Sequence, residues 1–247
     1  MSTEISEQAP GSQGDYARVL DFIRQQLLSG RIRVGDKLVA ERELSALLGV
    51  SRPVLREALR ALSMIGAVEI RHGVGTFVTT PDVSALGDFF SLVLAQQGDQ
   101  LDDILESRVA IEHHAIRLAC RRATETDYDR LAATLGRIRE TIEDAEEGAK
   151  ADFAFHSAIV AASHSKTLAT IYGALSNFIV DLHVVRRRRI LTVSGIRDYL
   201  IDHHARILDA LVRRDGPEAD RLLAEHFEIG ADFSRRAMLN EINGASR

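Results

Sequence analysis

Tyr16, Val19, Leu20, Ile23 and Leu27 recur three and four residues apart, which predicts one amphipathic helix stopped by Gly30. After a Gly35-Asp36 turn, a short second helix is expected at about Glu41–Leu48, with Leu44, Leu47 and Leu48 on one face and Gly49 at its end. Ser51 follows as a natural N-cap, and Pro53 falls in a first helical turn, where a missing N–H costs little. That third helix runs to about Ile65, with Leu55, Ala58, Leu59 and Leu62 facing inward. Beyond Gly66 the period shortens to two. Val68 and Ile70 lie in one run, Phe77 and Val78 in the next, and His72-Gly73-Val74-Gly75 joins them as a hairpin. Helix, tight turn, helix and hairpin make a winged helix-turn-helix.

Past Pro81 the pattern is helical throughout, with no proline between residues 82 and 216. Seven segments are expected, at about 83–98, 101–122, 125–147, 149–163, 166–189, 194–213 and 217–240. The expected fold is therefore mainly α: a disordered polar tail at 1–14, a winged helix-turn-helix at 15–80, and an all-α helical bundle at 81–247.

Charge sharpens this division. The net charge of −5 over 247 residues argues against nucleic acid when taken alone. Residues 15–80 nevertheless hold ten Lys and Arg against seven Asp and Glu, while residues 81–247 hold 21 against 27. A small basic piece joined to a larger acidic one is expected where only the first meets phosphate. The longest apolar stretch, Phe89–Ala95, is broken by Ser91 and falls far short of the ~20 residues of a membrane span. Cys120 is the single cysteine, and the start of the chain lacks the basic and apolar run of a signal peptide, so a cytoplasmic location is expected.

Two groups of residues carry candidate chemistry. Arg52, Arg56 and Arg60 repeat every four residues along the third helix. An arginine fork there reaches guanine edges or clamps phosphate. A solvated helix face carries such stripes too, but the tight turn before this one and the glycine wing after it point to DNA. In the second half, Asp152 and His156 share one helix face beside Phe155, Ile159 and Val160. Leu200, His204, Ile207 and Leu211 form an inner face, as do Leu222, Leu223, His226 and Phe227. One Asp and three His thus point from three helices into a bundle, as metal sites in bundles are built. The donor set suits a first-row divalent ion, zinc ahead of nickel or manganese. A lone histidine on an apolar face is also an ordinary core residue, and spacing alone leaves His203 open beside His204.

The segments Leu27-Leu28-Ser29-Gly30, Gly35-Asp36-Lys37-Leu38, Glu41-Arg42-Glu43-Leu44, Leu48 through Arg60, and Gly73-Val74-Gly75-Thr76-Phe77-Val78 closely resemble the GntR family of bacterial transcription regulators. The resemblance implies DNA contacts at Arg42, Ser51, Arg52, Pro53, Val54, Arg56, His72 and Gly73. Many members read Ser-Arg-Thr-Pro-Val-Arg, whereas here proline directly follows Ser51-Arg52. Asp152-Phe-Ala-Phe-His156, the stretch from His204 to Leu211, and His226 are similar to the ligand-binding (FCD) domain of the FadR subfamily. That likeness implies a metal held by Asp152, His156, His204 and His226, and an effector carboxylate paired with Arg108. At Ser165 many members have Asn. The implied protein is a homodimeric repressor on a palindromic operator, released by a small organic acid, and not an enzyme. A metal-dependent enzyme or a metal sensor with a DNA-binding domain is the alternative. His113, His114, His164 and His183 have no assigned role, and Arg186–Arg189 reads as a solvated helix end.

Overall fold

The structure is a computed structural model that describes residues 10–81, 83, 86–87, 89–90, 93, 101–193 and 195–245. It divides into two units, Met1–Val83 and Ser84–Arg247.

The first unit contains α1 (Pro10–Leu28), α2 (Glu41–Leu48), α3 (Arg52–Met64), β1 (Val68–Arg71) and β2 (Gly75–Val78). Helix α1 begins at Pro10, so residues 10–14 are helical and not part of a disordered tail. Proline suits a helix start, because its missing N–H would be unpaired there anyway. The buried stripe is narrower than the apolar one. Val19 and Ile23 are buried, Leu20 and Leu27 are exposed, and in α2 Leu44 is buried while Leu47 faces solvent. Gly49 takes the left-handed conformation (φ 64°, ψ 31°), which a side chain resists, and this lets the chain reverse within two residues. Ser51 then caps α3, its hydroxyl accepting from the Val54 N–H at 3.4 Å. Leu55, Ala58, Leu59 and Leu62 are buried, as the periodicity predicts.

β1 and β2 pair antiparallel, Val68 opposite Val78 and Arg71 opposite Gly75. Thr76 and Val78 point inward, while Ile70 is exposed. The loop before α2 adds an edge to this ribbon. Leu38 N–H donates to the Thr76 carbonyl at 2.8 Å, and Val78 N–H to that of Asp36 at 2.9 Å. Leu59→Ala is expected to cost this unit ~2–5 kcal/mol, because the side chain is buried in the cluster that unites α1, α3 and the ribbon. Urea unfolding of the variant checks this.

The second unit holds α4 (Leu101–Arg122), α5 (Glu125–Glu140), α6 (Ala145–Ala162), α7 (Lys166–Ala174), α8 (Ser176–Ile190), α9 (Ile196–Val212) and α10 (Gly216–Ala245). The helix predicted at 83–98 lies largely outside the described residues. Helix α6 is central, packed on α4, α5 and α8. Two boundaries differ from the periodic reading. The break after α5 falls at Thr141–Asp144, where Asp144 caps α6 by accepting from the Glu146 and Glu147 N–H groups, each at 2.8 Å. Gly148 lies inside α6, where its missing side chain admits Arg187. The predicted helix 166–189 is two helices, bent by 55° at Leu175. Among the described residues, no single helix is long and apolar enough to cross a membrane.

Candidate nucleic-acid interface and metal centre

Most of the DNA candidates lie at the surface of the first unit. Arg52 and Pro53 occupy the exposed first turn of α3, and Arg56 lies one turn further along the exposed side. The uncapped N–H groups of that turn add partial positive charge. Arg42 is exposed on α2, and His72 and Gly73 are exposed at the hairpin tip. Val54 differs: it is half-buried and packs on the unit's core. Ser51 spends its hydroxyl on the helix cap. Arg56 Nε is held 2.7 Å from Glu41 Oε2, an exposed pair that links α3 to α2.

In the second unit, Asp152 and His156 of α6, His204 of α9 and His226 of α10 converge. All four are buried, and one ligand atom from each lies within 4.8 Å of the others. Hydrogen bonding settles which nitrogens face inward. His156 Nδ1 lies 2.5 Å from Glu112 Oε2, and an ionised carboxylate only accepts, so Nδ1 carries the proton and Nε2 keeps its lone pair. His204 Nδ1–H likewise donates to the Leu200 carbonyl at 2.6 Å, leaving a lone pair on Nε2. His156 Nε2, His204 Nε2 and His226 Nδ1 are all buried without a hydrogen-bond partner. His204 Nε2 also faces Asp152 Oδ1 at 3.2 Å, two electron-pair donors side by side. A buried group of this kind is stable around a cation and costly without one. The donor set therefore fits a divalent metal.

The surroundings hold the donors in the right charge state. Burial lowers the pKa of His156, with Glu112 opposing in part, and lowers that of His226 further, with His204 and His156 as neighbours. Both imidazoles are thus neutral donors. Burial raises the Glu112 carboxyl, but Arg108 and His156 outweigh it and bring the pKa to about 2. Burial also opposes ionisation of Asp152, and His183, with His204 and His156, holds that carboxyl well below its usual range.

Arg108 adjoins the cluster and is fully buried. Its Nε donates to Glu112 Oε1 at 2.5 Å, where the Tyr172 hydroxyl also donates at 2.6 Å. Its Nη1 donates to His183 Nε2, and His183 Nδ1–H donates to Asp152 Oδ2 at 2.9 Å. Arg108 Nη2 is buried without a hydrogen-bond partner, 3.8 Å from Asp152 Oδ2.

Residues 15–78 match the model of the bacterial regulatory proteins of the gntR family, and residues 103–229 match that of the FCD domain. The chain belongs to the GntR family. It is 31% identical over 223 residues to the uncharacterized HTH-type transcriptional regulator YcbG of Bacillus subtilis, covering 90% of each chain. It is 32% identical to the putative L-lactate dehydrogenase operon regulatory protein of Escherichia coli, covering 85% of this chain and 83% of that one. It is 29% identical to the HTH-type transcriptional regulator LutR of B. subtilis, covering 80% of this chain and 91% of that one. A GntR structure from Streptococcus agalactiae shares the fold, with a TM-score of 0.67 at 23% identity over 90% of this chain and 99% of that one. This chain is thus a DNA-binding transcriptional regulator, as its family and relatives are, with an FCD domain of the FadR type.

Several residues of this GntR regulator take places that periodicity did not assign. Glu112, four residues after Arg108, clamps His156 and Arg108 together; the i, i+4 opposite charges are the signal that was present in the sequence. His183 is buried and bridges Arg108 to Asp152. Arg187 is buried and Arg186 half-buried, so only the end of the four-arginine run is a solvated helix end. His203 is buried but is not one of the four converging residues: its ring lies 4.8 Å from that of Tyr199 and 5.9 Å from that of His226, and its Nε2 is 3.7 Å from Glu225 Oε2. His113 pairs with Asp220 and His164 with Asp127, while His114 is exposed.

Proposed function

We propose that this protein is a homodimeric repressor whose grip on a palindromic operator is released by a small carboxylate bound beside a divalent metal. The observation that carries this reading is the convergence of partnerless nitrogens from His156, His204 and His226 on the Asp152 carboxylate, with the unpaired Nη2 of Arg108 at its edge. Asp152, His156, His204 and His226 are the proposed ligands, and zinc is proposed ahead of nickel or manganese. A bound divalent ion supplies positive charge and open coordination positions for an oxyanion. Glu112 fixes the His156 ring, and Arg108 presents a guanidinium edge to the second carboxylate oxygen. Arg42, Ser51, Arg52, Pro53, Val54, Arg56, His72 and Gly73 are the proposed DNA contacts, with Ser51 and Val54 setting the pose of α3. Two subunits are needed because one winged helix reads only a short half-site.

Titrating operator binding with metal alone, and then with metal plus organic acids, tests the reading. Release by acid only in the presence of metal supports it, and release or recruitment by metal alone makes the protein a metal sensor. The relative named for an L-lactate dehydrogenase operon makes L-lactate a first acid to try.

Arg108 calls for a conservative variant. Arg108→Ala would strand the buried Glu112 carboxylate, at a cost of ~3–5 kcal/mol. Arg108→Lys keeps the charge and loses the fork, so the concentration of acid that releases DNA is expected to rise about tenfold or more. A fluorescence anisotropy titration checks this. An unchanged midpoint removes Arg108 from the effector site.

A further inference from the structure

Arg108 is not the only guanidinium beside the metal cluster. Arg186 and Arg187 of α8 line the same cavity, whose wall also includes Asp152, His183 and His226. The residues lining this cavity include three arginines and a single carboxylate, Asp152, which already receives His183. Glu112, outside this lining, pairs with Arg108, whereas the buried Arg187 guanidinium makes no ion pair among the described residues.

The fold makes room for these arginines. A Cβ at Gly148 would overlap the Arg187 guanidinium, and a Cβ at Gly230 would overlap that of Arg186. Both glycines sit inside helices, α6 and α10, where glycine costs ~1 kcal/mol relative to alanine. Arg187 is 4% exposed; its Nη2 donates to the Ile142 carbonyl at 3.2 Å, while its Nε is buried without a hydrogen-bond partner. Burial lowers the pKa of both arginines, yet an arginine in a protein keeps its proton, so the charge remains. A desolvated guanidinium with one carbonyl partner is poorly compensated until an anion reaches it.

A monocarboxylate bound beside Arg108 leaves the Arg187 guanidinium without an anionic partner. We propose that Arg186 and Arg187 form a second anion subsite, and that the effector is a small dicarboxylate or tricarboxylate whose further carboxylate binds them. This rests on the effector reading above and narrows it to a charge class.

Isothermal titration of the full-length, zinc-loaded protein tests it, with propionate, L-lactate, succinate and tricarballylate at matched ionic strength. Succinate or tricarballylate is expected to bind wild type about tenfold or more tighter than either monocarboxylate. In Arg187→Gln that advantage is expected to fall about tenfold, with monocarboxylate affinity changing less than about threefold. Arg186→Gln, at a half-buried position, carries the same test if Arg187→Gln melts early. Monocarboxylates binding wild type as tightly as the diacids and triacids would overturn the subsite. So would variants that weaken all four acids alike, which marks a structural role. If wild type binds none of the four, the effector reading itself fails and the subsite fails with it.

Discussion

Replacing His204 with alanine is expected to strip the helical unit of its metal and to lower its melting temperature by ~10 °C. A metal held at a thousand times its Kd stabilises the folded state by about 4 kcal/mol, and each kcal/mol moves a domain of this size by ~2–4 °C. His204 contributes one of the inward nitrogens: its Nδ1 is committed to the Leu200 carbonyl, so Nε2 is the donor that the variant loses. The fall should come in two parts. Chelator treatment of wild type removes the metal contribution alone. H204A removes that and also leaves a gap beside Phe155, whose ring centroid lies 4.9 Å from that of His204. Elemental analysis with calorimetry separates the two. H203A is the comparison, because His203 is equally buried but lies outside the group of four. Metal loss in H203A with full occupancy in H204A would reverse the assignment, and full occupancy in both would remove the cluster as a metal site.

Operator binding is expected to fall by ~2–6 kcal/mol in Arg52→Ala or Arg56→Ala dimers, from ~1–3 kcal/mol at each of two half-sites. Stability should hardly change, since Arg52 is exposed and the Arg56–Glu41 pair is a surface salt bridge worth ~0–1 kcal/mol. The two arginines separate by salt dependence. An arginine on phosphate lowers the salt slope by about one when removed, whereas one on a base edge relaxes specificity at one position. The Glu41 contact in the free protein means that Arg56 must exchange a carboxylate for DNA, so Glu41→Ala should bind operator at least as tightly as wild type. Electrophoretic mobility shifts over a salt series measure all three. Wild-type affinity for both arginine variants at ~0.15 M salt would remove α3 as the reading helix.

Most of the first unit was legible in the sequence because its signals are local. Gly49, Ser51 and Pro53 fix the turn through backbone conformation and one capping bond, and Leu55, Ala58, Leu59 and Leu62 fix the inner face of α3 through the helical period alone. The ends of α4 were legible for the same reason. What periodicity left open needed neighbours in space. His203 and His204 differ by one step around α9, and only the placement of α6 and α10 beside that helix turns His204 to the cluster. Gly148 looks like a helix breaker by residue type, but Arg187 from another helix fills the space above it, and the break moves to Asp144, which can cap. Arg186 and Arg187 look like a solvated run until α8 packs on α6 and α10 and places them in the cavity wall. Which groups were available was written locally, since their types and helical faces depend on nearest neighbours along the chain. Which of them became unpaired inside the protein was decided only by tertiary structure, because desolvation and charge pairing depend on residues up to a hundred positions away.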